Sequence, residues 1–207
     1  MLATLTSLGL SASAGLNAYI PFLVVSLVAR FTDVINLPRQ YAWIESPWAI
    51  GIAAVLLLAD VSLDKIPAVD TLNDAVGTVI RPMSGGLVFS ATTAAENFEK
   101  NSTFMAQNPW IGVVLGVVVA LTVHGGKTVS RPVLNSATAG FAAPVVSTGE
   151  DAFSIGMAVS AVFLPFLVIF FLLILGITMF FLIRTARKLK SRRKNKAAQR
   201  YGPGSNF

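Results

Sequence analysis

The chain contains no cysteine and a single histidine, His124. The first absence excludes disulfides, thiolate metal sites and cysteine nucleophiles. The second leaves too few imidazoles for a metal cluster or a Ser-His-Asp arrangement, and His124 has no serine partner at helical spacing apart from distant Ser130. An enzyme is therefore not expected, and neither is a metal or a cofactor. Charge is scarce too. Only 13% of the 207 residues are charged against 54% apolar, and the mean hydropathy of +0.70 lies outside the range of soluble domains, so the composition predicts an all-α integral membrane protein. At about 20 residues per span, there is room for roughly four to six crossing or re-entrant segments.

Acid is missing from one end. Arg184, Arg187, Lys188, Lys190, Arg192, Arg193, Lys194, Lys196 and Arg200 form a block without a carboxylate, leaving seven cations against ten acids elsewhere. A basic block directly after an apolar run places that end in the cytoplasm, where it can touch anionic lipid headgroups. No aromatic residues are interleaved with the cations, so nucleic acid is not an expected partner. The chain thus divides into one polytopic membrane domain, 1–183, and a basic tail, 184–207, whose end from Tyr201 to Phe207 reads as disordered.

Long uninterrupted apolar runs are fewer than the composition suggests. The first span, Leu2 to about Arg30, lacks the cationic start of a signal peptide, and its apolar pattern continues through Ser11-Ala12-Ser13-Ala14, so it reads as retained. Its small residues Gly9, Ser11, Ser13, Ala14, Gly15 and Ala18 suit close helix approach in lipid. Pro21 removes the backbone partner of the Asn17 carbonyl and predicts a break beside a polar amide at bilayer depth. Tyr41, Trp43 and Trp48 suit the headgroup boundary. The runs Trp48–Ala59 and Trp110–Val123 are short for a hydrocarbon core of about 30 Å. Each is either a half-helix or the start of a full helix that carries charge inward. Phe153 to Ile183 is long enough to span, with Pro165 as an expected kink.

One phrase occurs twice. Ser46-Pro47-Trp48 leads to Thr78-Val79-Ile80-Arg81-Pro82 and Ser84-Gly85-Gly86, while Asn108-Pro109-Trp110 leads to Thr128-Val129-Ser130-Arg131-Pro132 and the small residues after Asn135, with the Arg-Pro pairs 50 positions apart. This predicts an internal duplication with units 46–107 and 108–150, the first carrying an extra segment around Asp60 to Asp74. Proline fits the first turn of a helix, so each Arg-Pro predicts a cation at a helix N-terminus, a receptor for carboxylate or phosphate. Asn17, Arg81, Lys127, Arg131 and Asn135 are the expected substrate-binding residues.

Asp60, Asp64, Lys65, Asp70 and Asp74 fall within fifteen positions, the aspartates in pairs four apart on either side of Ile66-Pro67. With His124, Glu150 and Asp151 they are the expected ion- or proton-coupling groups, because charge in a bilayer is costly and faces a protein interior or water. The same residues could instead be structural ion pairs, Lys65 and Arg81 to the aspartates and Arg131 to Glu150 or Asp151. Ser147 with Glu150 has the spacing of a capping box. Asn101-Ser102-Thr103 fits a glycosylation triplet, which carries little weight without a secretory setting.

Gly9-Leu10-Ser11, Ala14 to Pro21, Asp64-Lys65-Ile66-Pro67 with Asp70 and Asp74, Arg81-Pro82, Lys127/Arg131/Asn135 and Ser147 with Glu150-Asp151 together resemble the bacterial membrane family called domain of unknown function 4126. The similarity runs from about Gly9 to about Pro165 and excludes the basic tail. It implies a multi-span membrane protein of the bacterial plasma membrane and no particular activity. Two expectations follow from the residues: a small transporter or flippase-like carrier for an anionic substrate, or a non-transporting scaffold or accessory subunit in a homo-oligomer or larger membrane complex.

Overall fold

The computed structural model describes residues 2–66, 69–95, 108–137, 141 and 143–200. These residues are helical almost throughout: α1 (Leu2–Leu16), α2 (Tyr19–Phe31), a 3-10 helix η1 (Arg39–Glu45), α3 (Pro47–Leu63), α4 (Val69–Thr93), α5 (Pro109–Ala137), α6 (Ala143–Phe163) and α7 (Leu167–Arg200). Pro67, the Asn101 triplet and Tyr201 to Phe207 lie outside the described residues.

The first apolar run is broken where its amide and proline predict. The Asn17 N–H closes the last turn of α1 on Ser13 O at 3.0 Å, and its side-chain Oδ1 accepts from the backbone of Tyr19 (3.0 Å) and Ile20 (3.3 Å). The side chain thus satisfies orphan donors of α2 while Pro21 contributes none. The two short runs extend into full helices. Pro47 opens α3, Ser46 Oγ accepts from Ala49 N at 3.2 Å, and the helix continues through Asp60 for about 26 Å. With η1 it makes a pair bent by 53°. Pro109 opens α5, whose 29 residues pass without a break through His124-Gly125-Gly126-Lys127.

Three expectations are corrected. Pro165 separates two helices instead of kinking one, with Leu164 N bonded back to Ser160 O and Leu167 N to Leu164 O. The Arg-Pro pairs are not at helix N-termini: Pro82 lies inside α4, and Arg131-Pro132 lie inside α5. A proline within a membrane helix survives where neighbouring helices hold the axis. Here Gly85 and Gly86 press against α5 so closely that a Cβ on Gly116 would meet Gly85 O and, at 2.7 Å, Phe89 Cβ. The capping box is not formed either, because α6 begins at Ala143 and Ser147 is one turn inside it. The start of the repeated phrase and its Arg-Pro occupy α3 and α4 in the first unit and α5 alone in the second.

Helix α1 forms the centre and packs on α4, α5 and α6. Its small residues allow this. A Cβ on Gly9 would come within 2.8 Å of Ala161, and one on Gly15 within 2.6 Å of Ala120 O. Serines serve as polar glue: Ser7 pairs with Thr92 (2.7 Å), Ser11 donates to Gly85 O (2.9 Å) and Ser13 meets Ser154 (2.7 Å). Helix α7 lies outermost, exposing Ile169, Phe170, Leu173, Ile177 and Phe180, and runs on through the basic block to Arg200. Pro109–Val129 and Leu167–Thr185 are long and apolar enough to cross a membrane, and the bent η1–α3 pair makes a third if it counts as one span.

Candidate functional site: a buried charge cluster

Four helices and the α1–α2 break converge on a charged centre inside this apolar bundle. Asp60 and Asp64 come from one face of α3 and its end, Asp70 and Asp74 from one face of α4, Arg81 from two turns further along α4, Lys127 and Arg131 from α5, and Glu150 from α6. Asp64, Asp70, Asp74, Arg81, Lys127 and Arg131 are all at least 95% buried. The four-residue spacings that place the aspartates on shared faces also place Lys127 and Arg131 together on α5.

Asp64 is the hub. Its Oδ2 lies 3.1 Å from both Lys127 Nζ and Arg131 Nη2, and 3.8 Å from Arg81 Nη2. Arg131 reaches Glu150 Oε2 at 2.6 Å and Asp74 Oδ2 at 3.4 Å. Lys127 also contacts Glu150 at 3.1 Å and donates to Leu16 O at 3.2 Å, so an ammonium sits at the negative end of α1. Arg81 Nη1 donates to Asp74 Oδ1 and to His124 Nδ1, both at 2.9 Å. Gly77, one turn earlier, makes room for that guanidinium, since a Cβ there would lie 3.0 Å from Arg81 Nε. An arginine can only donate, so His124 accepts at Nδ1 and carries its proton on Nε2, which donates to Thr78 Oγ1 at 3.0 Å; Thr78 in turn donates to Asp74 O.

Asn17 joins the helix break to this centre. Its Nδ2 donates to Asp60 Oδ2 and Asp151 Oδ1, both at 3.0 Å, bridging α3 and α6. Asn73 makes a second amide bridge, to Asp60 Oδ1 (2.6 Å) and Asp64 Oδ1 (2.8 Å). Several buried polar atoms take no hydrogen bond: Arg81 Nη2, Arg131 Nη1, Asp151 Oδ2 and Ser147 Oγ, the last two on side chains one helical turn apart.

Of the expected residues, Asn17, Asp60, Asp64, Asp70, Asp74, Arg81, His124, Lys127, Arg131, Glu150 and Asp151 are brought together. Lys65 is not, because it turns back to Val61 O at 3.0 Å. Asn135 lies on α5, and its side chain is outside the described residues. Asn73 and Thr78 were not expected. The available signal was their polarity on the charged face of α4, Asn73 beside Asp74 and Thr78 one turn before Pro82. No group of acids and histidine among the described residues is arranged to hold a metal ion.

The fold and site define a class: an all-α protein with candidate membrane-spanning helices packed around a buried ionic network. Residues 4–185 match the family described as domain of unknown function (DUF4126), and the chain belongs to it. No curated protein and no solved structure matches the chain.

Proposed function

We propose that this chain is a small membrane carrier, transporter- or flippase-like, for an anionic substrate bearing a carboxylate or phosphate, with proton uptake at its own acids driving the exchange. The observation that supports this is the imbalance of the cluster. Among the described residues, six carboxylates, on Asp60, Asp64, Asp70, Asp74, Glu150 and Asp151, gather around three cations, Arg81, Lys127 and Arg131. With each of these acids ionised, the described part of the centre carries three more negative charges than positive. In a low-dielectric interior such a set lowers its energy by binding protons. Loss of carboxylate charge within the cluster frees cationic donors of Arg81, Lys127 and Arg131 for an incoming anion. Arg81 Nη2 and Arg131 Nη1 have no hydrogen-bond acceptor of their own and are the first donors to engage it.

The break at Asn17, the bent η1–α3 pair and the buried charge support a bundle of four to six crossing or re-entrant segments in the bacterial plasma membrane. The basic end of α7 then lies on the cytoplasmic side against anionic lipid. A scaffold or accessory subunit is the second reading, favoured by the broad apolar face of α7 and by the contact each buried cation makes with carboxylates.

The test is thermal stabilisation of the purified protein by succinate, inorganic phosphate and a lipid phosphate at pH 5 and pH 8, with Arg81→Gln and Arg131→Gln alongside. An anion at about 100 times its Kd adds about 2.7 kcal/mol to the folded state. The carrier reading expects stabilisation that is stronger at pH 5 and lost in both variants. If no anion stabilises the wild type at either pH and the variants only melt earlier, the scaffold reading stands.

A further inference from the structure

Away from the charge cluster, η1 folds across the angle between α2 and α3 and leaves two hollows that meet at Ser46. One, of about 550 Å³, is polar and walled by Arg30, Phe31, Ala42 and Glu45. The other, of about 770 Å³, is apolar and runs from Phe22 and Trp43 along Ala49, Ile52 and Leu56 to Met83. We infer that together they form a binding site for a zwitterionic glycerophospholipid, with its phosphate on Arg30, its ammonium against Glu45 and an acyl chain in the apolar groove.

The chemistry of the two ends carries this assignment. Arg30 closes α2, and its Nη1 donates to the backbone oxygen of Glu45 at 3.0 Å, which fixes the guanidinium at the mouth while using one of its five N–H donors. A guanidinium matches a phosphate, and Glu45 in the same pocket repels a purely anionic headgroup but matches an ammonium. Trp43 on the groove wall is exposed, as is Trp48 two residues after Ser46, in the manner of aromatic residues at headgroup level. Ile52 and Leu56 then lie about 9 and 15 Å deeper along α3, where an acyl chain runs. Phe22 and Trp43, with ring centroids 6.1 Å apart, form the upper wall. The exposed side chains of Ile52 and Met83 open the groove sideways onto the apolar exterior, so the occupant enters from the bilayer. The groove's volume lies within the range of about 300–1,000 Å³ usual for small-molecule sites. Its inner end is walled by Tyr19 and Ser84, with none of the charged residues of the cluster lining it, and the lipid site stands apart from the carrier reading.

The test is lipid titration of the delipidated protein in detergent, read by native mass spectrometry. The probes are phosphatidylethanolamine, phosphatidylglycerol, diacylglycerol and the chain-free headgroup glycerophosphoethanolamine. Phosphatidylethanolamine should bind about tenfold more tightly than the other three. Arg30→Gln should remove that advantage, and Glu45→Gln should raise phosphatidylglycerol to equality with it. Arg30 is exposed and Glu45 half-buried, so both variants should fold. Ala49→Phe, or Ile52→Phe from the same wall should the first fail to fold, should block lipids of either headgroup. Equal binding of all the lipids, wild-type affinity in Arg30→Gln, or headgroup binding as tight as the intact lipid would each overturn the assignment.

Discussion

Arg131 Nη2 lies 2.6 Å from Glu150 Oε2, and this contact ties the charged turn of α5 to α6. Both partners are largely removed from solvent, at 6% and 15% side-chain exposure, so each is held by the other's charge more than by water. Breaking a buried pair from one side strands the remaining ion at a cost of about 3–5 kcal/mol, whereas removing both ions is often close to neutral. Arg131→Gln and Glu150→Gln should each lower the melting temperature markedly in detergent. The double variant should recover part of the loss, but not all, because Asp64 also loses the Arg131 contact at 3.1 Å. Additive losses in the double-mutant cycle would count against the pair as an energetic unit.

Asn17 combines two tasks that a substitution can separate. Its Oδ1 satisfies the start of α2, and its Nδ2 joins Asp60 to Asp151. Asn17→Ala loses both and should cost about 2–3 kcal/mol, combining a cap with a buried bridge. Asn17→Asp keeps the acceptor for α2 but sets a third carboxyl against Asp60 and Asp151. The Asp variant should approach Ala in stability at pH 8 and recover at pH 5, where carboxyl protonation restores a donor. Equal melting temperatures of the Asp variant at the two pH values would contradict the bridging role.

Which residues gather at the centre was largely legible, because four-residue spacing places Asp60 with Asp64 and Asp70 with Asp74 whatever the tertiary fold. How they are presented was not. Local rules put proline at helix starts and Ser147 at a cap, yet Pro82, Pro132 and Ser147 are inside helices that pack on α1, two of which meet at the Gly85–Gly116 contact. Such contacts join residues dozens of positions apart and leave no periodic trace. The break at Asn17 was legible because its causes, an amide and a proline four residues on, are local.

The closest approach of α4 and α5 depends on glycine. Gly112 and Gly116 are one turn apart on α5, and a Cβ on Gly116 would meet Gly85 O and Phe89. Gly116→Ala therefore forces the helices apart and should cost about 1–3 kcal/mol, with Arg81 and Lys127 carried away from their shared carboxylates. Gly51→Ala is the control, since nothing lies within 4 Å of its added Cβ. It should be neutral or gain up to about 1 kcal/mol from helix propensity. Equal melting of the two variants would sink the close-packing account.

Ser147 separates stability from function. Its Oγ is buried and takes no hydrogen bond, whereas Ser13 Oγ pairs with Ser154 Oγ at 2.7 Å and lies 3.0 Å from Ser154 O. Removing an unsatisfied hydroxyl relieves a desolvation cost, and removing a satisfied one strands its partner. Ser147→Ala should leave the melting temperature unchanged or raise it, while Ser13→Ala should lower it by the equivalent of about 1–2 kcal/mol. Ser147 lies one turn before Asp151, whose Oδ2 is also unpaired, so the carrier reading expects Ser147→Ala to weaken anion-induced stabilisation although the fold is intact. Full anion stabilisation in Ser147→Ala would remove that face of α6 from the substrate path and confine the exchange to the α4–α5 side, at Arg81 and Arg131.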